Sequence, residues 1–286
     1  MVREVEASIP EREFLLDALR EGLRLDGRAT FEQRPISLLI SEDGDSVECS
    51  LGRTRVSAHV SATITRPRPD RPFEGLLQVS AEINPLASFV YEIGRASEDE
   101  VHLSRLLDKT LVRSGVIDRE ALCILAGQKV WCIRVDLHFL NDEGNMLDCA
   151  SVAAIAALQN FRRPDITLVG EEITVHSFDE RLPIPLTLHH LPICLTFAFF
   201  ELPASYILLD PSRLEQQLST GTMTLTLNAQ REICVINKSG GMPSDVEEIM
   251  RVVRIGSRRV QEVDALIKEQ ISKKHPALGL AAVQDR

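Results

Sequence analysis

Three carboxylates, Asp142, Glu143 and Asp148, crowd Gly144 in the stretch NDEGNMLDCASVAAIAA from Asn141 to Ala157. A glycine loop running into a small-residue helix has the shape of a phosphate site. Free backbone N–H groups and the positive end of the helix dipole point at such a loop. This loop carries no Lys or Arg, and its carboxylates would repel an anion. The scaffold is present without the charge, and as a tight loop into a core helix it needs no ligand. A second candidate is Asp210, which follows the apolar run YILL and so sits at a strand end, where sites often lie. Alternatively, Asp210 or Ser212 caps the turn that holds Leu214. Gln216 follows Asp210 by six residues, and KSGG lies further on at Lys238 to Gly241. A third is Arg24-Leu25-Asp26-Gly27-Arg28, followed by Arg34-Pro35, which alone reads as a charged turn. A fourth is the series Arg105, Lys109 and Arg113, recurring every four residues, with Arg95 before it. Such a stripe is either a solvated helix face or a track for RNA phosphates.

The elements that must hold these residues follow from spacing. Ser8 with Glu11 forms a capping box with Pro10 in the first turn. Phe14, Leu15, Ala18 and Leu19 form one face of that helix, and Gly22 can stop it. Thr54 to Ile64 alternates as a half-buried strand, Leu76 to Ile83 is another, and Leu122 to Leu140 holds one strand or two. A helix capped by Ser97 and Glu100 presents Leu103, Leu106, Leu107 and Leu111 inward and runs to Arg113. An Ala-rich helix over 148–160 is expected to be deeply buried. Strands are expected over 173–175, 193–199, 206–209, 223–227 and 232–236. A long helix capped at Ser244 with Glu247 runs to about Lys274, and His275 to Arg286 reads as a frayed tail. Each half ends alike, in strands, a glycine loop (Gly144; Gly240-Gly241) and a helix.

The bulk properties narrow the class. The chain has 286 residues, 44% apolar and 26% charged, the balance of a globular protein with a sizeable core. Aromatics make up only 5%, too few for base stacking to be the main nucleic-acid device. A net charge of −10 argues against a chain that coats nucleic acid by itself. A local basic stripe can still steer RNA, because screening confines charge effects to roughly 8–10 Å. The six cysteines form no CxxC pair and mostly sit in apolar runs, so they read as reduced and buried, with no zinc spacing. No signal-peptide core opens the chain, and no apolar run approaches the ~20 residues of a membrane span.

Taken together, these segments carry a resemblance. RLDGR at Arg24 to Arg28 and AGQKVWCIRVDLHFLNDEGNMLDCASVAAIAAL at Ala126 to Leu158 resemble the RNase PH-like family, as do three later blocks. These are NFRRPD at Asn160 to Asp165, HHLPICLTFAFF at His189 to Phe200 and REICVINKSGG at Arg231 to Gly241. The likeness covers nearly the whole chain and is narrowest toward the ring subunits of the eukaryotic RNA exosome. It implies an α+β fold of two similar halves with mixed sheets and packed helices. The divisions expected are residues 1–22 for an N-terminal helix, 23–190 for the first half, 191–275 for the second and 276–286 for a tail.

Active members of that family are phosphorolytic 3′→5′ exoribonucleases, in which phosphate attacks the terminal phosphodiester. The chemistry needs a cation clamp on phosphate and carboxylates for Mg²⁺ or acid catalysis. The family's glycine loop carries a hydroxyl residue and an Arg, where this chain has Gly144-Asn145-Met146-Leu147. Of two family aspartates six residues apart, the first matches Asp210 and the second is Gln216. A family Gly-Arg in the preceding helix is here Asp108-Lys109. Losing one electrostatic stabiliser costs on the order of 10²–10³ in rate, so several losses imply no useful turnover. The resemblance therefore implies a non-catalytic subunit without metal or cofactor, with Asp210, Gln216, Gly144, Asn145 and Met146 as a degenerate site. Its partners would be other RNase PH-like subunits in a hetero-hexameric ring, RNA-binding cap subunits, docked nucleases and single-stranded RNA held by Arg95, Arg105, Lys109 and Arg113. Ribosomal RNA processing and RNA degradation in nucleus, nucleolus and cytoplasm would follow. An active enzyme whose site borrows cations from a neighbour stays open as the alternative.

Overall fold

The structure, a computed structural model, describes residues 7–274 apart from 93, 95, 170–171, 179, 202–204, 242 and 244. The expected tail, the Ser244 cap and Arg95 lie outside the described residues. Helix α1 (Ile9–Arg20) opens with the expected capping box: the Glu11 N–H donates to Ser8 Oγ, and the Glu11 carboxylate accepts from the Ser8 N–H. At its end Gly22 adopts φ +76°, and the N–H of Leu23 donates to the Ala18 carbonyl. Leu15 and Leu19 are buried, but Phe14 is 66% exposed rather than inward-facing. Leu15 and Leu19 lie one turn apart over the same surface, whereas Phe14 is turned about 100° away from Leu15.

The first sheet runs in the order β1–β2–β3–β6–β4, from β1 (Ile36–Ile40), β2 (Ser46–Leu51), β3 (Thr54–Thr65), β4 (Leu76–Ile83), β5 (Cys123–Leu125) and β6 (Lys129–Asn141). The Leu122 to Leu140 segment is therefore two antiparallel strands, with β5 folding back on β6. In β3, Val56, Ala58 and Val60 face the core while Arg55 and His59 face out, as alternation requires. The pairing of β4 with β6 is parallel, which demands a crossover. Helix α2 (Glu98–Leu107) supplies it, capped by Ser97, with Leu103, Leu106 and Leu107 buried.

The expected single helix to Arg113 changes character at its end. Asp108–Arg113 forms a π-helical turn, in which the Thr110 hydroxyl donates to the Leu106 carbonyl. A wider turn breaks the simple four-residue stacking assumed for the cations. Leu111 is still buried, and Arg105, Lys109 and Arg113 are still exposed.

Helix α3 (Met146–Asn160) lies between the two sheets. Every residue from Leu147 to Leu158 is buried, so this helix has no solvent face. Its alanines keep it thin enough for β2 and β3 on one side and the second sheet on the other. Short strands β7 (Arg162–Arg163), β8 (Ile166–Val169), β9 (Glu172–Val175) and β10 (Ile184–Pro185) lead into that sheet; β7 pairs with β10 and β8 with β9. The second sheet has the order β12–β11–β13–β14, from β11 (Ile193–Glu201), β12 (Ser205–Leu209), β13 (Gly221–Leu227) and β14 (Ile233–Gly240). One face of β11 and β12 (Ala198, Phe200 and Leu208) takes Leu15 and Leu19 of α1, while Leu195 and Phe197 belong to the main core.

Between β12 and β13 sits the short α4 (Arg213–Leu218), and α5 (Val246–Lys274) closes the fold. Gly256 of α5 lies so near Leu225 that a Cβ there would come within 3.1 Å of its Cδ2. The architecture is the expected α+β class, with mixed strand directions in the first sheet and helices packed between and over the sheets. All six cysteines are free thiols; Cys49, Cys132, Cys149 and Cys194 are buried. No described helix is long and apolar enough to cross a membrane.

Candidate functional site

Asp210 directly follows β12 in a left-handed conformation, φ +52°, and its side chain is fully buried. A non-glycine residue in that region stores about 1–3 kcal/mol of strain, which persists only where surrounding contacts over-determine it. Here they do. The Asp210 carboxylate accepts from Arg28 Nη1 (2.8 Å), from the Arg34 backbone N–H and Nε (both 2.9 Å) and from Arg34 Nη2 (2.8 Å). Asn145 Nδ2 donates a further bond at 2.6 Å. A carboxylate has about four lone-pair positions. Five donors therefore saturate it. Burial alone would raise the carboxyl pKa, but the hydrogen bonds and charge of Arg34 outweigh it and hold it below the ordinary carboxylate value. Ser212, not Asp210, caps α4, through a capping box with Glu215.

The RLDGR segment is a turn with Leu25, Asp26 and Gly27 exposed, but its two arginines point inward. Arg24 is buried and grips Glu215 with two nitrogens, at 3.0 and 2.6 Å. It also donates to the backbone carbonyls of Leu209 and Asp210, each at 2.9 Å. Arg34 continues past Asp210 to the carbonyls of Glu143 and Gly144. Three distant segments are thus tied to one strand end. Glu215, Thr54 and Thr196 were not foreseen as members of this cluster. Glu215 alone carries a signal, as the fourth residue of the Ser212 capping box.

The glycine loop is satisfied from within. Gly144 has φ +87°, and a Cβ there would fall 2.4 Å from the Arg213 nitrogen, so only glycine fits. The Gly144 N–H donates to Asp142 Oδ1 (3.0 Å), the Glu143 N–H to Thr54 Oγ1 (3.3 Å) and the Asn145 N–H to Gln216 Oε1 (3.1 Å). The loop's own three N–H groups are thus used internally, while the first turn of α3 carries no side-chain cap. The expected repulsion is also weaker than the residue count suggested. Asp142 is buried, bonded to the Tyr91 hydroxyl (3.1 Å) and paired with Arg213 (3.3 Å). Burial and the Asp142 charge push the Tyr91 hydroxyl well above its usual range.

Asp148 is a further buried carboxylate. Asn145 Nδ2 reaches it at 2.8 Å, and Thr196 donates through its N–H (2.9 Å) and hydroxyl (2.7 Å). Burial is the largest influence and raises its pKa. The bonds from Asn145 and Thr196 lower it, the nearby Asp210 charge raises it, and the net result is about 7.

Beside this cluster lies a cavity of about 270 Å³, lined among others by Met146, Leu147, Gln216, Arg213, Tyr91 and His102. Met146 and Leu147 put apolar side chains at the mouth of α3. Of the site residues expected from sequence, Asp210, Gln216, Gly144 and Asn145 meet here, with Met146 on the wall. Arg105, Lys109 and Arg113 do not join them. Arg113 pairs with Asp108 (3.1 Å) and lines a separate groove of about 980 Å³ with Arg68, Arg71, Arg119 and His189.

Residues 32–164 match the 3′ exoribonuclease family, domain 1, and residues 190–259 match domain 2 of the same family. The chain is 41% identical over 291 residues to the exosome complex component rrp45 of Schizosaccharomyces pombe, covering 100% of both. It is 43% identical over 270 residues to the exosome complex component RRP45 of Bos taurus, covering 94% of this chain but 61% of the bovine one. Among solved structures it is similar to a chain of the Archaeoglobus fulgidus exosome with RNA bound to the active site. That match has a TM-score of 0.75 and 32% identity, covering 88% of this chain and 96% of that one. An archaeal exosome core chain matches with TM-score 0.70 and 28% identity, covering 92% and 95%.

Two predictions follow from the buried carboxylates. Asp210→Asn removes the counter-charge of Arg28 and Arg34 and places an amide among donors. It should lower unfolding free energy by about 3–5 kcal/mol, read from urea titrations of both proteins. Asp148 gives a pH signature of opposite sign. Its folded pKa lies above the 3.8 of a free carboxyl, so between pH 4 and 7 the folded state binds more protons than the unfolded state. Stability from this group is complete below about 4 and is lost as pH rises through 7. Asp148→Asn keeps the hydrogen-bond geometry and should flatten the stability–pH curve in that window.

Proposed function

The chain belongs to the 3′ exoribonuclease family, and from this premise we propose that it is a non-catalytic, RNase PH-like ring subunit of an RNA exosome, of the RRP45 type. The observation that carries the inert reading is the occupied site. The N–H groups of the glycine loop are spent on Asp142, Thr54 and Gln216, and the Asp210 carboxylate is spent on two arginines and an amide. A phosphate entering here would meet no cation of the loop and would have to displace internal bonds to reach the loop's N–H groups. Met146 and Leu147 supply no hydroxyl or charge in its place.

A site shared with a neighbour is less favoured by the same geometry. A borrowed cation could reach the cavity wall, but it would not free the lone pairs of Asp210, which the chain itself encloses. The positive role is assembly and RNA guidance. Neighbouring RNase PH-like subunits would complete the ring, RNA-binding cap subunits would sit on it, and nucleases docked on the assembly would perform 3′→5′ processing and degradation. The exposed Arg105, Lys109 and Arg113, with Arg95, would hold single-stranded RNA by its phosphates. Residence in nucleus, nucleolus and cytoplasm follows from the same reading, as does the division into a helix (1–22), two halves (23–190 and 191–275) and a tail.

Two experiments test this. The purified chain, and the assembly containing it as the only intact RNase PH-like site, should release no nucleoside diphosphates from RNA when phosphate is added. Phosphate-dependent release that vanishes with Asp210→Asn would establish the enzyme reading instead. Reversing charge at Arg105, Lys109 and Arg113 should weaken RNA binding by the assembled ring about tenfold or more and flatten its salt dependence. Unchanged RNA affinity would remove these residues from the RNA path.

A further inference from the structure

Helix α5 carries a second basic surface, far in sequence from the Arg105 stripe. Arg251, Arg254 and Arg258 are exposed and recur at spacings of three and four, which places them along one side of the helix. Among the described residues, Arg254 and Arg258 make no ion pair and no hydrogen bond. Arg251 lies over the ring of Phe31, 5.1 Å from its centroid. Between α5 and the 29–32 loop runs a groove of about 770 Å³, lined by Arg254, Arg258, Ile255, Phe31, Glu32 and Glu262 among others.

The charges in this groove are not balanced internally. Glu262 is taken by Arg259, which also donates to Gln33. Glu32 accepts from the Ala29 N–H at 3.0 Å. The two free guanidiniums are left without acceptors on a chain whose net charge is −10. The adjoining surface is apolar: Phe31 and Ile255 are half-buried, and Met250 and Val246, one and two turns before Arg254, are exposed.

We propose that this groove docks an acidic, apolar-containing segment of a partner protein, with carboxylates on Arg254 and Arg258 and apolar side chains on Phe31, Ile255 and Met250. Charge complementarity selects an anion, and guanidinium forks suit carboxylates. The apolar lining selects protein over nucleic acid. A sugar–phosphate strand would bring an unbroken row of charges past Glu32 and Glu262 and leave the apolar surface wet. A peptide can place its carboxylates only where the two free arginines stand.

The test uses the full chain and fluorescence anisotropy. One probe is a short labelled peptide of Glu-Glu-Leu-Leu repeats, the second its Leu→Ser counterpart, and the third a labelled oligouridylate of equal charge. The wild type should bind the first peptide in a salt-sensitive way, and Arg254→Glu with Arg258→Glu should weaken it about tenfold or more. The Leu→Ser peptide should bind more weakly to the wild type, and the oligouridylate should not distinguish the two proteins. Arg254→Gln with Arg258→Gln should give a smaller loss of the same kind, which keeps the test valid if charge reversal unfolds the helix. Equal peptide binding by wild type and both variants overturns the proposal. Loss of oligouridylate binding alone overturns it in favour of an RNA track.

Discussion

A fully buried carboxylate must be matched by donors or it destabilises the fold, and Asp210 is matched by more than it needs. Its five donors come from the Arg28 and Arg34 side chains, the Arg34 backbone and Asn145. These groups belong to the loop before the first sheet and to the loop before α3. Asp210 itself directly follows a strand of the second sheet. One ion-pair cluster therefore ties both sheets and the central helix together. The strained φ of Asp210 and the left-handed Asn145 are held by that cluster rather than by local preference. Arg24 with Glu215 underlies it and holds the corner between β12 and α4.

The same cluster decides what the site can do. Asp148 and Asp210 both take the one amide group of Asn145, so two carboxylates lie close in a dry environment. Two negative charges in such a place are unfavourable. The arginines sit on Asp210, and the charge of Asp148 is the one that burial suppresses. That division leaves one carboxylate neutralised and the other partly protonated near neutral pH. Neither is presented to a ligand. Gln216, where the family resemblance placed a second aspartate, closes the loop by accepting the Asn145 N–H. The departure from the family pattern is thus built into the hydrogen-bonding of the loop and is not a bare gap.

Local patterns in the chain were sufficient for most elements. The caps at Ser8 and Ser97, the alternation of β3 and the Ala-rich α3 all rest on nearest-neighbour chemistry, and each lies where spacing placed it. The misreadings came where tertiary contacts decide. Phe14 has an apolar side chain, yet only the Leu15 and Leu19 line meets the second sheet. The π-helical turn at Asp108 replaces a regular helix end that periodicity could not distinguish from it. RLDGR is the charged turn that it looked like, but the inward reach of its arginines was hidden because their partners, Leu209, Asp210 and Glu215, lie more than 180 residues away. The acidic residues of the glycine loop were legible. That its donors were already occupied was not legible, since Thr54 and Gln216 reach it from other elements.

The central claim is that the glycine loop has no capacity for phosphate. The most direct measurement is a titration of isotopically labelled protein with inorganic phosphate, followed through the backbone amide resonances of Gly144 and Asn145. An occupied site predicts that both resonances stay in place up to phosphate concentrations well above those of a cell. A saturable shift at these two amides, absent from distant ones, would show that the internal bonds yield to the anion and would contradict the account.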